Sequence, residues 1–250
     1  MLNLLLNHKS IRKYKNDNVS DEILNKILES AVRGSNTGNM QVYSIIVTKN
    51  QEIKEKLLPA HFNQAMVKEA PVVLTFCADI NRFNKWCELR NTVPAYDNFL
   101  WLYNATIDAT IAAQNACIAA EYYGLGICYL GTTTYTAEKI IEVLNLPKGV
   151  VPVTTVVLGY PDISPDLTDR LPIEAVVHFD TYKDYSKEDI EKLHKEKEEL
   201  EFTKKLIFDN KTENLAQIFT EKRYKKADNL HFSKEFLKIL EKQGFMNNEI

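Results

Sequence analysis

Patterned cysteine is missing from this 250-residue chain. Cys77, Cys87, Cys117 and Cys128 show no C-x-x-C spacing and the five histidines are scattered, so neither a disulfide framework nor a zinc site is suggested, and no metal is expected. A reducing cytoplasm fits such a chain best. An excess of one charge is lacking too: a net charge of -3 gives no long-range attraction to nucleic acid or anionic lipid. A small molecule is the expected partner, and any cationic site must be local. No G-x-x-x-x-G-K-[ST] and no G-x-S-x-G occurs, which removes the usual signatures of phosphoryl transfer and serine hydrolysis. Gly124, Gly126 and Gly131 follow a helical stretch rather than a strand, so a dinucleotide fingerprint is rejected. The apolar run Leu2 to Leu6 is too short for the core of a secretory signal and reads as an amphipathic first helix.

What is present is a 45% hydrophobic content, enough to bury a full core in one large domain or in a domain with an extension. Four apolar strands are expected at Val42 to Thr48, Pro71 to Ala78, Ile127 to Leu130 and Pro152 to Gly159. Helices are expected from Ser20 to about Arg33, at Asn50 to Leu58, Asn63 to Glu69, Tyr96 to Tyr123 and Thr136 to Asn145, whereas Asn81 to Pro94 shows no clear period and reads as irregular. The Tyr96 to Tyr123 helix is apolar on most sides, though Asp97, Asp108 and Glu121 argue against a membrane span. A soluble helix of that kind must be covered on several faces, which points to a dimer interface, with a central helix in a monomer as the other reading. Residues 183–250 hold 15 basic and 15 acidic residues, which cancel. They read as a solvated helical C-terminal extension packed on the domain or its partner.

The chemistry concentrates in His8-Lys9-Ser10-Ile11-Arg12. In extended chain alternate side chains share a face, so His8, Ser10 and Arg12 can point one way while Lys9 and Ile11 point the other. Such converging donors suit a phosphate, and an arginine also holds a planar, electron-accepting heterocycle with paired N–H groups. By spacing alone a surface basic cluster reads the same. Across one helix lies Gly34-Ser35-Asn36-Thr37-Gly38-Asn39-Met40-Gln41, a loop rich in uncharged hydrogen-bonding groups.

These stretches, together with Ala113-Gln114-Asn115, Ala119-Ala120-Glu121, Gly124-Leu125-Gly126, Leu146-Pro147, Gly159-Tyr160-Pro161 and Arg170-Leu171-Pro172, resemble the flavin-dependent nitroreductases over roughly residues 4–182. The likeness is greatest to the larger branch of NADPH-linked nitroreductases and flavin reductases. The resemblance implies an α+β fold: a central, mostly antiparallel sheet flanked by helices, a long dimer-interface helix, an FMN-binding domain at 1–182 and the charged extension at 183–250. It implies a homodimer that moves hydride from NADPH or NADH through FMN to nitroaromatics, quinones or free flavin. A flavin-binding sensor or assembly subunit without turnover is the alternative. By motif position His8, Ser10 and Arg170 are implied on the phosphate side and Arg12 at the pyrimidine edge of the flavin, with Lys9 also implied among the cofactor-binding residues. Ser35, Asn36, Thr37, Asn39 and Gln41 are implied to reach the flavin from the partner subunit, with Gln64 near the ring and the backbone of Leu130, Gly131 and Thr132 facing N5. No general acid–base side chain is implied. Two departures stand out: Thr168 occupies the place of a family lysine, and Lys204 stands where the branch carries an arginine for NADPH, with Arg223 as a second candidate.

Overall fold

The computed structural model describes residues 2–247; the outermost ends of the two expected domains, residues 1 and 248–250, lie outside them. Four strands, β1 (Tyr43–Thr48), β2 (Val72–Asp79), β3 (Gly126–Leu130) and β4 (Val150–Gly159), form one sheet in the order β1-β2-β4-β3, and every neighbouring pair is antiparallel. The order follows from the side chains. β2 is buried along its whole length and β4 along most of it, so these two unbroken apolar runs take the centre, where both faces are covered.

Helices close the sheet: α1 (Leu2–Leu6), α2 (Asp21–Val32), α3 (Gln51–Leu57), α4 (Met66–Glu69), α5 (Asn81–Leu89), α6 (Phe99–Tyr122) and α7 (Ala137–Leu144). α2 starts where Ser20 accepts from the Ile23 amide, with Asp21 and Glu22 on the positive first turn. Its Leu24, Ile27 and Ala31 pack with the alanines Ala109, Ala112, Ala113 and Ala116 of α6 and with Leu74 and Phe76 of β2 in one core cluster. Small residues let the α6 backbone lie close to the sheet. α6 opens on Asn98, which accepts from the Trp101 amide, and closes at Gly124 (φ 77°). There the Gly124 amide donates to Glu121 and the Leu125 amide to Ala120, a left-handed cap that glycine adopts without strain and that turns the chain into β3. The α5 helix corrects the irregular expectation for Asn81 to Pro94. Its apolar face is one turn long, Phe83, Trp86 and Cys87 at i, i+3 and i+4, and only Cys87 of its nine residues is buried, so the period is short against the polar residues around it.

By its internal packing the chain forms two compact units, residues 1–166 with 232–250, and residues 167–231; the expected boundary at 182/183 falls inside the second. The second unit holds an extended stretch, then α8 (Lys187–Glu199), α9 (Glu201–Asn210) and α10 (Leu215–Gln217), which runs into a π-helical turn at Ile218–Arg223. The α8 helix begins on a capping box between Ser186 and Asp189. The last helix, α11 (Lys226–Lys242), ends in the first unit, where Ile239, Leu240 and Phe245 join the core around Val42, Ala78 and Val151. No helix among the described residues is long and apolar enough to cross a membrane.

Candidate functional site

The stretch His8 to Arg12 is bolted to the edge of the sheet. Ser10 makes a parallel bridge to Ile127 of β3, and the Ile11 amide donates to the Ile127 carbonyl at 2.8 Å. Ile11 is 6% exposed, while Arg12 beside it stands in solvent, as alternation in extended chain requires. Gly126 makes this possible, because a Cβ there would come within 2.4 Å of the Ile11 side chain. Downstream, the Tyr14 hydroxyl donates to the Ile11 carbonyl at 2.6 Å and the Lys15 amide to the Tyr160 carbonyl. Burial raises the Tyr14 phenol far above its ordinary pKa, so it stays a neutral donor.

The polar side chains of the stretch divide. His8 sets Nδ1 at 2.6 Å from the Glu121 carboxylate of α6, which leaves Nε2 for another partner. Lys9 and Ser10 are half-buried. Burial pushes the Cys128 thiol up, and the Arg12 guanidinium and the Ser10 hydroxyl beside it oppose that shift. Ser10 and Arg12 therefore share the neighbourhood of Cys128, the middle residue of β3, and Leu130, Gly131 and Thr132 come at and beyond that strand's C-terminal end. Leu130 is buried and its carbonyl accepts from the Thr133 hydroxyl at 2.9 Å. Gly131 is exposed and a Cβ on it would meet nothing, so its backbone lies open to a ligand. Thr132 is half-buried, with its hydroxyl oxygen 2.9 Å from His61 Nδ1. Gln64 follows three residues on, its amide donating to the His61 carbonyl.

The loop from Ser35 to Gln41 is shaped from below by one carboxylate. Asp108 of α6, 1% exposed, accepts with a single oxygen from both the Thr37 amide at 2.8 Å and the Thr37 hydroxyl at 3.0 Å. Asn36 accepts from the Gln41 amide, and positive φ at Gly38, Asn39 and Gln41 folds the loop tightly. Ser35, Asn39 and Gln41 are left exposed. In the second unit Arg170 is exposed, with Nη1 donating to the Thr168 and Asp169 carbonyls, while Asp169 pairs with Lys197. Lys204 pairs with Glu201 at 2.9 Å, and Arg223 lies over the Phe219 ring at 5.9 Å. No group of histidine, cysteine and carboxylate suited to a metal occurs among the described residues.

A sequence model of the Nitroreductase family matches residues 5–160. The chain belongs to the nitroreductase family. It is 35% identical over 180 residues to an FMN reductase (NADPH) of Bacillus subtilis, covering 71% of this chain and 72% of that one. It is 35% identical over 182 residues to an oxygen-insensitive NADPH nitroreductase of Salmonella typhimurium, covering 73% and 74%. Among solved structures it is similar to a proposed oxidoreductase from Bacteroides fragilis (51% identity, TM-score 0.96, 98% and 100% of the chains). It is also similar to the NADPH:FMN oxidoreductase of Vibrio harveyi complexed with NAD+ (28% identity, TM-score 0.83, 99% of each chain).

Three side chains that hold these stretches were given no role there by the sequence: Glu121, Asp108 and His61. For the first two a signal existed. They are the two acidic residues inside α6, an otherwise apolar helix, and a buried carboxylate there needs a donor from another element. His61 sits alone in Leu58-Pro59-Ala60-His61-Phe62, where nothing in the sequence distinguishes it. Because Asp108 alone carries the Thr37 amide and hydroxyl, Asp108→Ala should cost about 1.5–3 kcal/mol and free the loop. Hydrogen exchange of the Thr37 to Gln41 amides is expected to rise well above that of α6, and unchanged protection would show that the loop holds itself.

Proposed function

We propose that this nitroreductase is an FMN-dependent oxidoreductase that takes hydride from NADPH or NADH and passes electrons to flat, reducible acceptors such as nitroaromatics, quinones or free flavin. The observation that carries the proposal is the join of Ser10 and Ile11 to β3, which lays a solvent-facing guanidinium and a hydroxyl alongside the strand that runs on into the open Gly131 backbone. That donor set fits FMN. Lys9, Ser10 and the free Nε2 of His8 suit its phosphate, the delocalised Arg12 cation suits its pyrimidine edge, and the bare Gly131 backbone lets a planar ring approach. FMN when bound supplies the hydride acceptor and donor. The chain supplies position and field: a fixed guanidinium stabilises the negative charge of a reduced ring more than it stabilises the neutral oxidised ring. Relatives named FMN reductase and NADPH nitroreductase support the same reading.

Arg170 is proposed on the phosphate, and three of its five N–H donors can still serve a ligand while two rest on local carbonyls. Lys204 or Arg223 would meet the 2′-phosphate of NADPH, Lys204 by leaving Glu201. We propose a homodimer in the reducing cytoplasm. Support comes from four free, buried cysteines and from an apolar stripe, Leu100, Tyr103 and Ile107 on α6 with Leu2 and Leu6 on α1, that stands exposed in the single chain.

The test is the visible spectrum of the FMN-loaded protein under anaerobic titration with NADPH and NADH. The flavin band is expected to bleach with at least one of them and to return when a quinone is added. A flavin that ignores both nucleotides would favour the sensor. Sedimentation at micromolar concentration should show a dimer, and a monomer that still holds FMN would contradict the proposed interface.

A further inference from the structure

His61 is wholly buried, yet its Nε2 has no hydrogen-bond partner, and among the described residues its ring makes one polar contact, with the Thr132 hydroxyl at 2.9 Å from Nδ1. Thr132 belongs to the segment that the FMN reading places at the flavin ring, and the present inference rests on that reading. A second bond ties the same two stretches, from the Thr136 hydroxyl to the Ala60 carbonyl, so the Leu58 to His61 turn and the Gly131 to Thr136 turns are fixed to one another.

The protonation of His61 decides what Thr132 can do. Burial lowers the imidazole pKa to about 4, so the ring is neutral near pH 7 and carries one N–H. If that proton sat on Nε2, a buried donor would have no acceptor, and Nδ1 would take the only proton of the Thr132 hydroxyl. With the proton on Nδ1, the ring donates to Thr132 Oγ1 and the orphan at Nε2 is a lone pair. Buried acceptors without partners are tolerated more often than buried N–H groups without them. The Nδ1–H form is therefore favoured, and it leaves the hydroxyl proton of half-buried Thr132 free to point away from His61. We propose that His61 is a positioning residue whose Nδ1–H holds the Thr132 hydroxyl as a hydrogen-bond donor to an acceptor atom of the flavin ring. This side-chain donor is distinct from the backbone groups of Leu130, Gly131 and Thr132.

The test measures FMN dissociation constants, the band shape of the bound flavin and melting temperature for Thr132→Val, His61→Leu, His61→Asn and the double variant Thr132→Val with His61→Leu. Thr132→Val and His61→Leu are each expected to weaken FMN roughly three- to ten-fold and to shift the flavin band alike, with the double variant no weaker than either single one, since all three remove one donor. His61→Asn, whose amide N–H lies in about the place of Nδ1–H, should restore affinity and band shape. The inference is overturned if the two single effects add, if His61→Asn falls with His61→Leu, or if His61→Leu lowers only the melting temperature. Should His61→Leu not fold, Thr132→Val decides alone, and FMN affinity and spectrum like those of the wild type overturn the role. A wild-type protein that takes up no FMN would instead bring down the cofactor reading itself.

Discussion

The site depends on one packing constraint, the seat of Ile11 on the bare backbone of Gly126. Burying an isoleucine side chain contributes about 1.5–3 kcal/mol, and here it also fixes the alternation of the stretch: with Ile11 inward, Ser10 pairs along β3 and Arg12 must face out. The Ile11 amide to Ile127, the Tyr14 hydroxyl to Ile11 and the Lys15 amide to Tyr160 extend the same join. A flexible basic tail would have to be ordered each time a ligand bound. In this chain the ordering of the backbone is completed on folding, so the side from which the Arg12 side chain leaves is already set.

The long helix α6 is the second organiser, through its few polar residues. Glu121 anchors His8 from one end, and Asp108 holds Thr37 from the middle, so one rigid element carries both the N-terminal stretch and the Ser35 to Gln41 loop. Its alanines allow close approach to α2 and β2, and its opposite side presents Leu100, Tyr103 and Ile107. The isolated acids of this apolar helix are thus accounted for as two carboxylate anchors, Asp108 buried and Glu121 partly buried, while one apolar face packs on α2 and the sheet.

Much of this was legible in the sequence, for physical reasons that differ by element. β2 and β4 are central strands buried on both faces, and such strands announce themselves as unbroken apolar runs. The ends of α2 and α6 were marked by a capping serine and by Gly124. The α5 helix was missed, since its apolar face is a single turn, Phe83, Trp86 and Cys87, whose ring contacts with Tyr96 lie outside the helix itself. At the site, the alternation around Ile11 followed from local geometry, whereas the His8 to Glu121 pair joins residues 113 apart and the His61 to Thr132 pair residues 71 apart. Pairings across such distances depend on how strands and helices stack, which local pattern does not encode.

If a preplaced cation is what makes this chain an electron carrier rather than a flavin holder, its effect must survive when binding is made irrelevant. The most direct measurement is the midpoint potential of bound flavin in the wild type and in Arg12→Ala, both at saturating FMN, alongside the rate of hydride uptake. Removing the guanidinium is expected to lower the potential and leave hydride transfer slow despite full occupancy, because charge on the reduced ring loses its partner. Unchanged potentials with full turnover at saturating FMN would contradict this and reduce Arg12 to a binding residue.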